Sequence, residues 1–133
     1  MNKFANILFI SIMLLCAFTG CNSLDDKNID RNIKESKLLA MWRVDTFGCM
    51  KYRTAGNAIY IRDSLNLTGK STAFVIDELG VPNSRQTNDD RETLIYYFNT
   101  YCSDNVFIDS VDYCWLELLI ESDKVKNIYT KCY

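Results

Sequence analysis

The chain has 133 residues, with 15 basic and 17 acidic side chains, six cysteines and no histidine. The missing histidine excludes an imidazole base, a Ser-His-Asp or Cys-His catalytic arrangement and a histidine metal ligand. A net charge of -2 disfavours nucleic acid as a partner, and 48% hydrophobic with 24% charged residues is typical of a folded chain.

The first twenty residues have the pattern of a secretion signal. Met1-Asn2-Lys3 gives a short positive start, and an apolar stretch follows from Phe4 to Phe18. At 1.5 Å per residue this stretch spans about 22 Å, which is less than the ~30 Å of a bilayer core. Because it is apolar on all sides, an export signal over residues 1–20 is favoured over a buried helix of the domain.

The signal ends in a candidate lipid-attachment site. Thr19, Gly20 and Cys21 resemble the bacterial lipobox, in which small residues precede a cysteine that is lipidated and becomes the first mature residue. Two or three acyl chains hold a protein on a bilayer where one does not, so Cys21 is predicted to be a membrane anchor. Asn22 is not the Asp that keeps many lipoproteins at the inner membrane. This resemblance implies the outer membrane, on either its periplasmic or its external side.

Residues 22–35 are polar and rich in Asn and Asp, which predicts a flexible tether. Together with the lipidated cysteine, the tether occupies residues 21–35. The remaining residues, 36–133, are predicted to form one small domain.

Three helical segments are predicted at the start of this domain. Residues 36–43 begin with a candidate N-cap, Ser36, and crowd their apolar residues on one side. Residues 49–67 have apolar residues at helical spacing, with Gly56 as a weak point. Residues 71–79 predict a short helix that is capped by one of its first two residues and stopped by a Gly-x-Pro sequence.

After a polar loop over residues 83–92, the residue types change to aromatic and β-branched ones. Three strands are predicted there, over residues 94–101, 113–121 and 124–132. Since the helices come before the strands, we expect an α+β fold. Two to three N-terminal helices would pack on one face of a three-stranded antiparallel β-meander.

The predicted domain retains four cysteines, Cys49, Cys102, Cys114 and Cys132. An oxidising compartment and a small core favour two disulfides. The preferred pairing joins Cys102 to Cys114 and Cys49 to Cys132. The rival places Cys114 opposite Cys132 across a hairpin with a three-residue turn. A zinc site is disfavoured because no CxxC spacing exists.

The sequence offers little for catalysis. Residues 68–72 superficially suggest a phosphate-binding loop, but they lack its first glycine and its buried strand, so they predict a turn and a helix cap. Glu117 and Glu121 lie about 13 Å apart along one strand, too far for the two carboxylates of a glycosidase. We therefore expect neither an enzyme nor a bound nucleotide, cofactor or metal.

Aromatic residues are frequent in the C-terminal part of the chain. Because neighbouring strand residues point to opposite faces, Trp115 together with Tyr97 predicts an aromatic patch on the outward face. The apolar stretch around Phe107 is hard to explain as an ordinary loop and is a second candidate contact surface. Trp115, Phe107 and Tyr97 are the candidate partner contacts, and packing on strand neighbours is the alternative.

Residues 69–82, GKSTAFVIDELGVP, followed by a polar loop and a tyrosine-rich strand, resemble the SmpA/OmlA lipoprotein family. That family has a helix ending in Leu-Gly-x-Pro and then an antiparallel sheet, in a lipid-anchored domain. The resemblance covers residues 69–133 and implies a non-catalytic binding or assembly module at the outer membrane, with an envelope protein as partner. The cysteines and the cluster of Trp42, Asp45 and Arg53 depart from the family pattern.

A second interpretation belongs to another functional class. An inhibitor or immunity-type protein would block an envelope enzyme through an acidic or aromatic loop, for which Asp89, Asp90 and Glu92 are the natural residues. It predicts a tight one-to-one complex with an enzyme, whereas the first interpretation predicts contacts with envelope assembly proteins.

Overall fold

The computed structural model describes residues 23–109 and 112–133, with side chains from residue 29 onward. The predicted signal peptide, residues 1–20, and the predicted lipid anchor Cys21 lie outside the described residues. Within the described part of the chain, no helix is both long and apolar enough to cross a membrane.

The chain divides into two compact units between Lys34 and Glu35. The unit of residues 35–133 contains the strands and the hydrophobic core, and it begins beside the predicted domain boundary at residue 36. The described residues of the other unit are helical.

Helix α1 spans Ser23–Val44. Residues 23–35, predicted to be a flexible tether, are therefore helical, and the predicted N-cap Ser36 lies inside the helix. The sequence has neither Gly nor Pro from residue 21 to residue 47. Once the apolar-faced segment after Ser36 is helical, extending the helix backwards through such residues costs little because nucleation has already occurred.

The two later helices are α2, Ala55–Ser64, and α3, Thr72–Leu79. Thr54 and Ser71 cap them, since each side-chain oxygen accepts a hydrogen bond from a backbone N–H three residues later. The cap predicted for the third segment is thus confirmed. The segment predicted over residues 49–67 is helical only in its middle, because its first residues form a loop around the carboxylate of Asp45.

The described residues after the helices form six strands: β1 Ser84–Asn88, β2 Arg91–Phe98, β3 Cys102–Ser103, β4 Val106–Phe107, β5 Cys114–Glu121 and β6 Lys124–Cys132. The main sheet is antiparallel with four strands in the order β1-β2-β5-β6, and β3 pairs with β4 in a small hairpin. The α+β class with helices before strands is confirmed. The sheet has one strand more than predicted.

The additional strand, β1, comes from the polar stretch of residues 83–92 that was predicted to be a loop. It lies at the edge of the sheet, and nearly all of its residues are exposed. An exposed edge strand does not need the apolar alternation that marks a half-buried strand, so its sequence lacks the signal.

The connection between β5 and β6 fixes which residues face each other. Ser122 and Asp123 form a two-residue turn with φ angles of 50° and 57°, as in a type I′ turn. The register then shifts between Leu119 and Ile120, which brings Cys114 opposite Cys132. The rival disulfide pairing assumed this register with a three-residue turn, whereas the structure reaches it with a two-residue turn and an irregularity in the ladder.

The core lies between the helices and one face of the main sheet. The strands β2 and β5 contribute alternate residues to it, namely Leu94, Tyr96, Phe98, Leu116, Leu118 and Ile120. The helices contribute Leu39, Trp42, Ala58, Ile61, Val75 and Leu79. The intervening strand residues, including Tyr97 and Trp115, therefore lie on the outer face, as the alternation predicted.

Candidate functional site

Among the described residues, six aromatic side chains form a connected group at one end of the outer sheet face. We call this group the aromatic cluster; its members are Phe47, Tyr97, Phe107, Tyr113, Trp115 and Tyr133. The ring centroids of contacting pairs are between 4.9 and 6.0 Å apart. All three predicted contact residues belong to the cluster, so the structure brings them together.

Tyr113 is at the centre of the aromatic cluster. Its ring centroid lies 4.9 Å from that of Tyr97, 5.9 Å from Trp115 and 5.7 Å from Tyr133. Burial, together with the neighbouring Tyr97 and Asp109, raises the pKa of the Tyr113 hydroxyl. The sequence placed Tyr113 at the start of a strand and did not identify it as a contact residue. Its role follows from the cross-strand pairing of Tyr97 with Trp115 just beyond it.

The small hairpin of β3 and β4 carries Phe107 into the aromatic cluster. Its turn residues Asp104 and Asn105 have φ angles of 51° and 62°, values that Asp and Asn tolerate better than most residues. The Phe107 ring stacks on the Phe47 ring with a centroid distance of 5.4 Å and an interplanar angle of 13°. This contact explains the apolar stretch that did not fit an ordinary loop.

Two disulfides in the described chain lie at the same end of the sheet, and their pairing corrects the preferred prediction. Cys49 is joined to Cys102, and Cys114 to Cys132. The rival hairpin pairing is confirmed, because the strand register places Cys114 and Cys132 directly opposite each other. Cys102 is held by the small hairpin beside the loop after α1 and so reaches Cys49 instead of Cys114.

Phe47 was missed because it belongs to a loop far away in sequence. The adjacent Gly48 has φ +77°, and a Cβ there would lie 3.1 Å from Thr100 Oγ1. Only glycine combines this backbone conformation with so close an approach. The Thr100 hydroxyl donates a hydrogen bond to the Phe47 carbonyl, which fixes the loop further. The sequence signal was Phe47-Gly48-Cys49, a glycine and a disulfide cysteine beside an aromatic residue.

The buried side chain of Arg53 supports the aromatic cluster from inside the domain. Its Nε donates to the Trp42 carbonyl at 2.9 Å, and its Nη1 donates to the Thr46 carbonyl at 2.8 Å and to Asn83 Oδ1 at 2.9 Å. Asn83 Oδ1 also accepts from the Tyr97 backbone N–H at 2.8 Å. Arg53 thereby links the end of α1 to the backbone next to Phe47 and, through Asn83, to the backbone of Tyr97.

The electrostatics of Arg53 are those of a buried cation facing aromatic rings. The guanidinium carbon lies 5.0 Å from the centroid of the Trp42 ring and 5.7 Å from that of Tyr96, distances at which a ring face attracts a cation. Within the described chain, Arg53 Nη2 and Trp42 Nε1 are buried without a hydrogen-bond partner. Burial lowers the pKa of Arg53 to about 10, and the charge of Asp45 opposes this shift.

Asp45 organises the loop that carries Phe47. Its carboxylate accepts hydrogen bonds from the backbone N–H groups of Met50, Tyr52 and Arg53 at 2.8–2.9 Å. In a helix these N–H groups would donate to backbone carbonyls. In this loop the buried carboxylate accepts from them instead, which satisfies their need for a partner. Trp42, Asp45 and Arg53, which the sequence singled out as a cluster, therefore have a structural role beneath the aromatic cluster.

Glu117 lies beside Trp115 on the outer face of the sheet. It accepts hydrogen bonds from Lys131 Nζ at 2.8 and 3.0 Å and from Trp115 Nε1 at 3.1 Å. Burial acts to raise the pKa of Glu117, but the bonds from Lys131 and Trp115 outweigh it and hold this pKa below its ordinary value. Such a pair with a lysine of the neighbouring strand is typical of an outward strand position.

The opposite end of the main sheet has a different chemistry. We call it the charged end. It contains a groove with a volume of about 320 Å³, whose lining includes Arg85, Thr87, Asp89, Asp90, Glu92 and Asp123. The three acidic residues predicted for an inhibitor thus come together here. Glu92, however, is already paired with Arg85, while the two aspartates are exposed in the turn between β1 and β2.

Comparisons with family models, with curated proteins and with solved structures gave no match. The chemistry of this chain is therefore argued from its own residues. In the described part of the chain, no group of three or more Cys, Asp or Glu side chains could hold a metal ion. The aromatic cluster is suited to binding another molecule. Large rings with polar edges bury much surface area in an interface and lose little conformational entropy when they do so.

Proposed function

We propose that this protein is a non-catalytic, lipid-anchored module of the bacterial outer membrane that binds or helps to assemble an envelope protein. The observation that carries this proposal is the aromatic cluster on the sheet face that the helices leave uncovered. The membrane anchor is inferred from the signal sequence and from Cys21 at its end.

The exposure of the aromatic cluster favours contact with a partner over internal packing alone. Tyr133 is 81% exposed and Phe47 is 45% exposed, while Trp115 and Phe107 are half-buried. Tyr and Trp are the residues on which binding energy most often concentrates in protein interfaces. Two neighbouring disulfides hold the loops and strands that carry these rings, so binding requires little further ordering.

The carboxylates that were considered for catalysis support a binding module instead. Glu117 is occupied by Lys131 and Trp115, and Glu121 lies 3.1 Å from Arg91 Nε. A general acid and base would need carboxylates that face a shared substrate site at a distance of about 5–9.5 Å. Their engagement with cations on the sheet surface is typical of solvated strand positions.

In-cell photocrosslinking of the full lipidated chain tests the binding surface. A photoreactive phenylalanine at Tyr133 should crosslink to one envelope protein, and the same probe at Thr87, at the charged end, should not. Replacing Trp115 by Ala should abolish the crosslink without reducing the amount of protein in the membrane. Crosslinks that persist unchanged in Trp115→Ala would refute the aromatic cluster as the binding surface.

The anchor has its own test in the Cys21→Ser variant. Without the acyl chains, the protein should leave the membrane fraction and appear in the soluble fraction, because two or three acyl chains together supply the affinity that stable anchoring needs. Full retention of Cys21→Ser in the membrane fraction would defeat the lipid-anchor proposal while leaving the crosslinking result to judge the binding surface.

A second candidate function, inhibition of an envelope enzyme, is favoured by one observation. Asp89 and Asp90 are exposed next to the groove at the charged end, where an enzyme with a basic entrance could accept them. In this case a crosslinking probe at Asp90 should capture one enzyme in a one-to-one complex, and Asp89→Asn with Asp90→Asn should restore the activity of that enzyme.

A further inference from the structure

Negative charges predominate around the aromatic cluster. No Lys or Arg occurs between Arg91 and Lys124, a stretch that includes most of the cluster. The loop that carries Phe107 contributes three exposed aspartates, Asp104, Asp109 and Asp112. None of the three has an ion-pair partner within the residues that the structure describes.

The cations near the aromatic cluster do not neutralise these aspartates. Lys131 is engaged with Glu117 at 2.8 Å, and Arg53 is buried beneath the cluster. The loop that carries Phe47 adds a single exposed cation, Lys51. Three unpaired carboxylates against one lysine leave this end of the domain with an excess of negative charge.

The negative charge lies close to the rings as well as in the same loop. Asp112 directly precedes Tyr113 in the chain and Asp109 follows Phe107 by two residues, so both carboxylates flank cluster members in sequence. The charge of Asp109 also helps to raise the pKa of the Tyr113 hydroxyl. The faces of Trp and Tyr rings attract cations, and a nearby carboxylate adds a second, longer-range attraction. Within the domain itself, Arg53 already lies against Trp42 and Tyr96 in this manner.

Resting on the proposed function, we infer that the partner of the aromatic cluster is an arginine-bearing protein segment. Its guanidinium groups stack on the exposed ring of Tyr133 and on the half-buried ring of Trp115, and pair with the aspartates of the Phe107 loop. Arginine fits better than lysine because its planar group can stack on a ring and bind a carboxylate in the same contact. A neutral glycan would use the rings but would gain nothing from the three carboxylates.

Calorimetric titration of the full lipidated chain in mild detergent tests this inference. The probes are a short Gly-Arg repeat peptide and a matched peptide in which citrulline, of the same shape but uncharged, replaces each arginine. We expect the arginine peptide to bind about tenfold more tightly than the citrulline peptide. The difference should shrink at high salt because exposed charges are screened. Quenching of Trp115 fluorescence should accompany binding, since the other tryptophan, Trp42, is fully buried.

Two matched variants locate the contact. Replacing Asp104, Asp109 and Asp112 by Asn should weaken binding of the arginine peptide about tenfold, since the exposed carboxylates are removed without changing side-chain shape. Replacing Asp89 and Asp90 by Asn removes two exposed charges at the charged end and should leave the affinity unchanged. Equal affinity for the arginine and citrulline peptides, or an unaffected triple variant, would overturn the inference.

The titration and the in-cell crosslink together distinguish a glycan ligand from an arginine-bearing partner. They also distinguish failure of this inference from failure of the proposed function. Binding of a chitin oligosaccharide without binding of the arginine peptide would overturn the arginine-bearing partner in favour of a sugar. If the in-cell crosslink at Tyr133 depends on Trp115 but the arginine peptide does not bind, the binding surface stands and the inferred chemistry of its partner fails. If the crosslink does not depend on Trp115, both fail.

Discussion

The two ends of the main sheet are held together by different interactions. At one end, two disulfides and six contacting rings join the loop after α1, the small hairpin and the last strand. At the charged end, the tie between β1 and β2 is the ion pair of Arg85 with Glu92, and that between β2 and β5 is the pair of Arg91 with Glu121. Disulfides and ring contacts of the outer face therefore occur at the aromatic end.

This difference makes the aromatic end of the sheet the more rigid of the two. Exposed ion pairs contribute little to stability, with a typical value of about 0–1 kcal/mol, and salt screens them. A disulfide in a small exported domain contributes about 2–4 kcal/mol. The aromatic cluster is thus fixed before any partner arrives, which is the property that a binding surface needs and a solvated strand end does not.

Removing the disulfides should have the largest effect on this contrast. The Cys49–Cys102 bond spans 53 residues and the Cys114–Cys132 bond spans 18. Loop-closure entropy then predicts that paired Cys→Ala replacements lower the free energy of unfolding by about 4 kcal/mol for the first bond and about 3 kcal/mol for the second. Urea unfolding of each double variant measures both values.

The control is a double replacement of Arg91 and Glu121 by Ala, which breaks a tie at the charged end. It should change the free energy of unfolding by no more than about 1 kcal/mol. If this variant loses as much stability as either disulfide variant, the contrast between the two ends is wrong. If the Cys114–Cys132 variant is the less stable of the two disulfide variants, unfolded-state entropy does not govern the effect.

Two identical substitutions, one at each end, should have an intermediate effect. Arg53→Met keeps much of the buried volume but removes the side-chain donor to the Trp42 carbonyl. It also removes one of the two donors to the Thr46 carbonyl and to Asn83 Oδ1. Buried acceptors that lose a charged donor cost about 3 kcal/mol in total. Arg85→Met removes a half-exposed side chain from the pair with Glu92 and should cost under about 1 kcal/mol.

Thermal unfolding of the two variants tests this comparison directly. Arg53→Met should also alter the near-ultraviolet circular dichroism of the aromatic cluster, because Asn83 holds the Tyr97 backbone and is itself held by Arg53. Equal losses of stability in the two variants would mean that Arg53 is no more than another surface cation. Arg53→Lys keeps the charge but not the planar fork, so it should recover only part of the stability.

The contrast between the two ends was partly readable in the sequence. Strand alternation correctly assigned Trp115 and Tyr97 to the outer face of the sheet. That assignment depends on local side-chain periodicity, which a single sequence carries. The edge strand β1 and the first part of α1 were missed, since β1 is almost wholly exposed and residues 29–34 are exposed, so neither stretch leaves a burial period in the sequence.

The composition of the aromatic cluster was less accessible. Tyr97, Trp115 and Phe107 were identified because strand alternation and an unusual loop composition singled them out. Phe47 lies in a loop that reaches the cluster through the Cys49–Cys102 bond and the close approach at Gly48, and both depend on tertiary structure. The preferred disulfide pairing was wrong, and only its rival was confirmed, because cysteine spacing alone does not fix the register.

Protonation of Glu117, which links Trp115 of the aromatic cluster to Lys131, should have the smallest effect on stability. Because the pKa of Glu117 is lowered in the folded state from its ordinary value of 4.5, its stabilising contribution is present above that pH and is lost as the pH falls through the lower folded value. Below this range the protein should lose under about 1 kcal/mol that the Glu117→Gln variant does not lose.

The indole N–H signal of Trp115 in a magnetic resonance titration reports this step at one atom, because Trp115 Nε1 donates to the Glu117 carboxylate. As the pH falls, the carboxylate takes up a proton and becomes a weaker acceptor, so the signal should move upfield with a midpoint below 4.5. In Glu117→Gln the signal should stay still over the same range. A midpoint above the ordinary value in the unmodified protein would mean that burial outweighs the bonds from Lys131 and Trp115, and that the aromatic end is less firmly coupled to its charged neighbours than the geometry indicates.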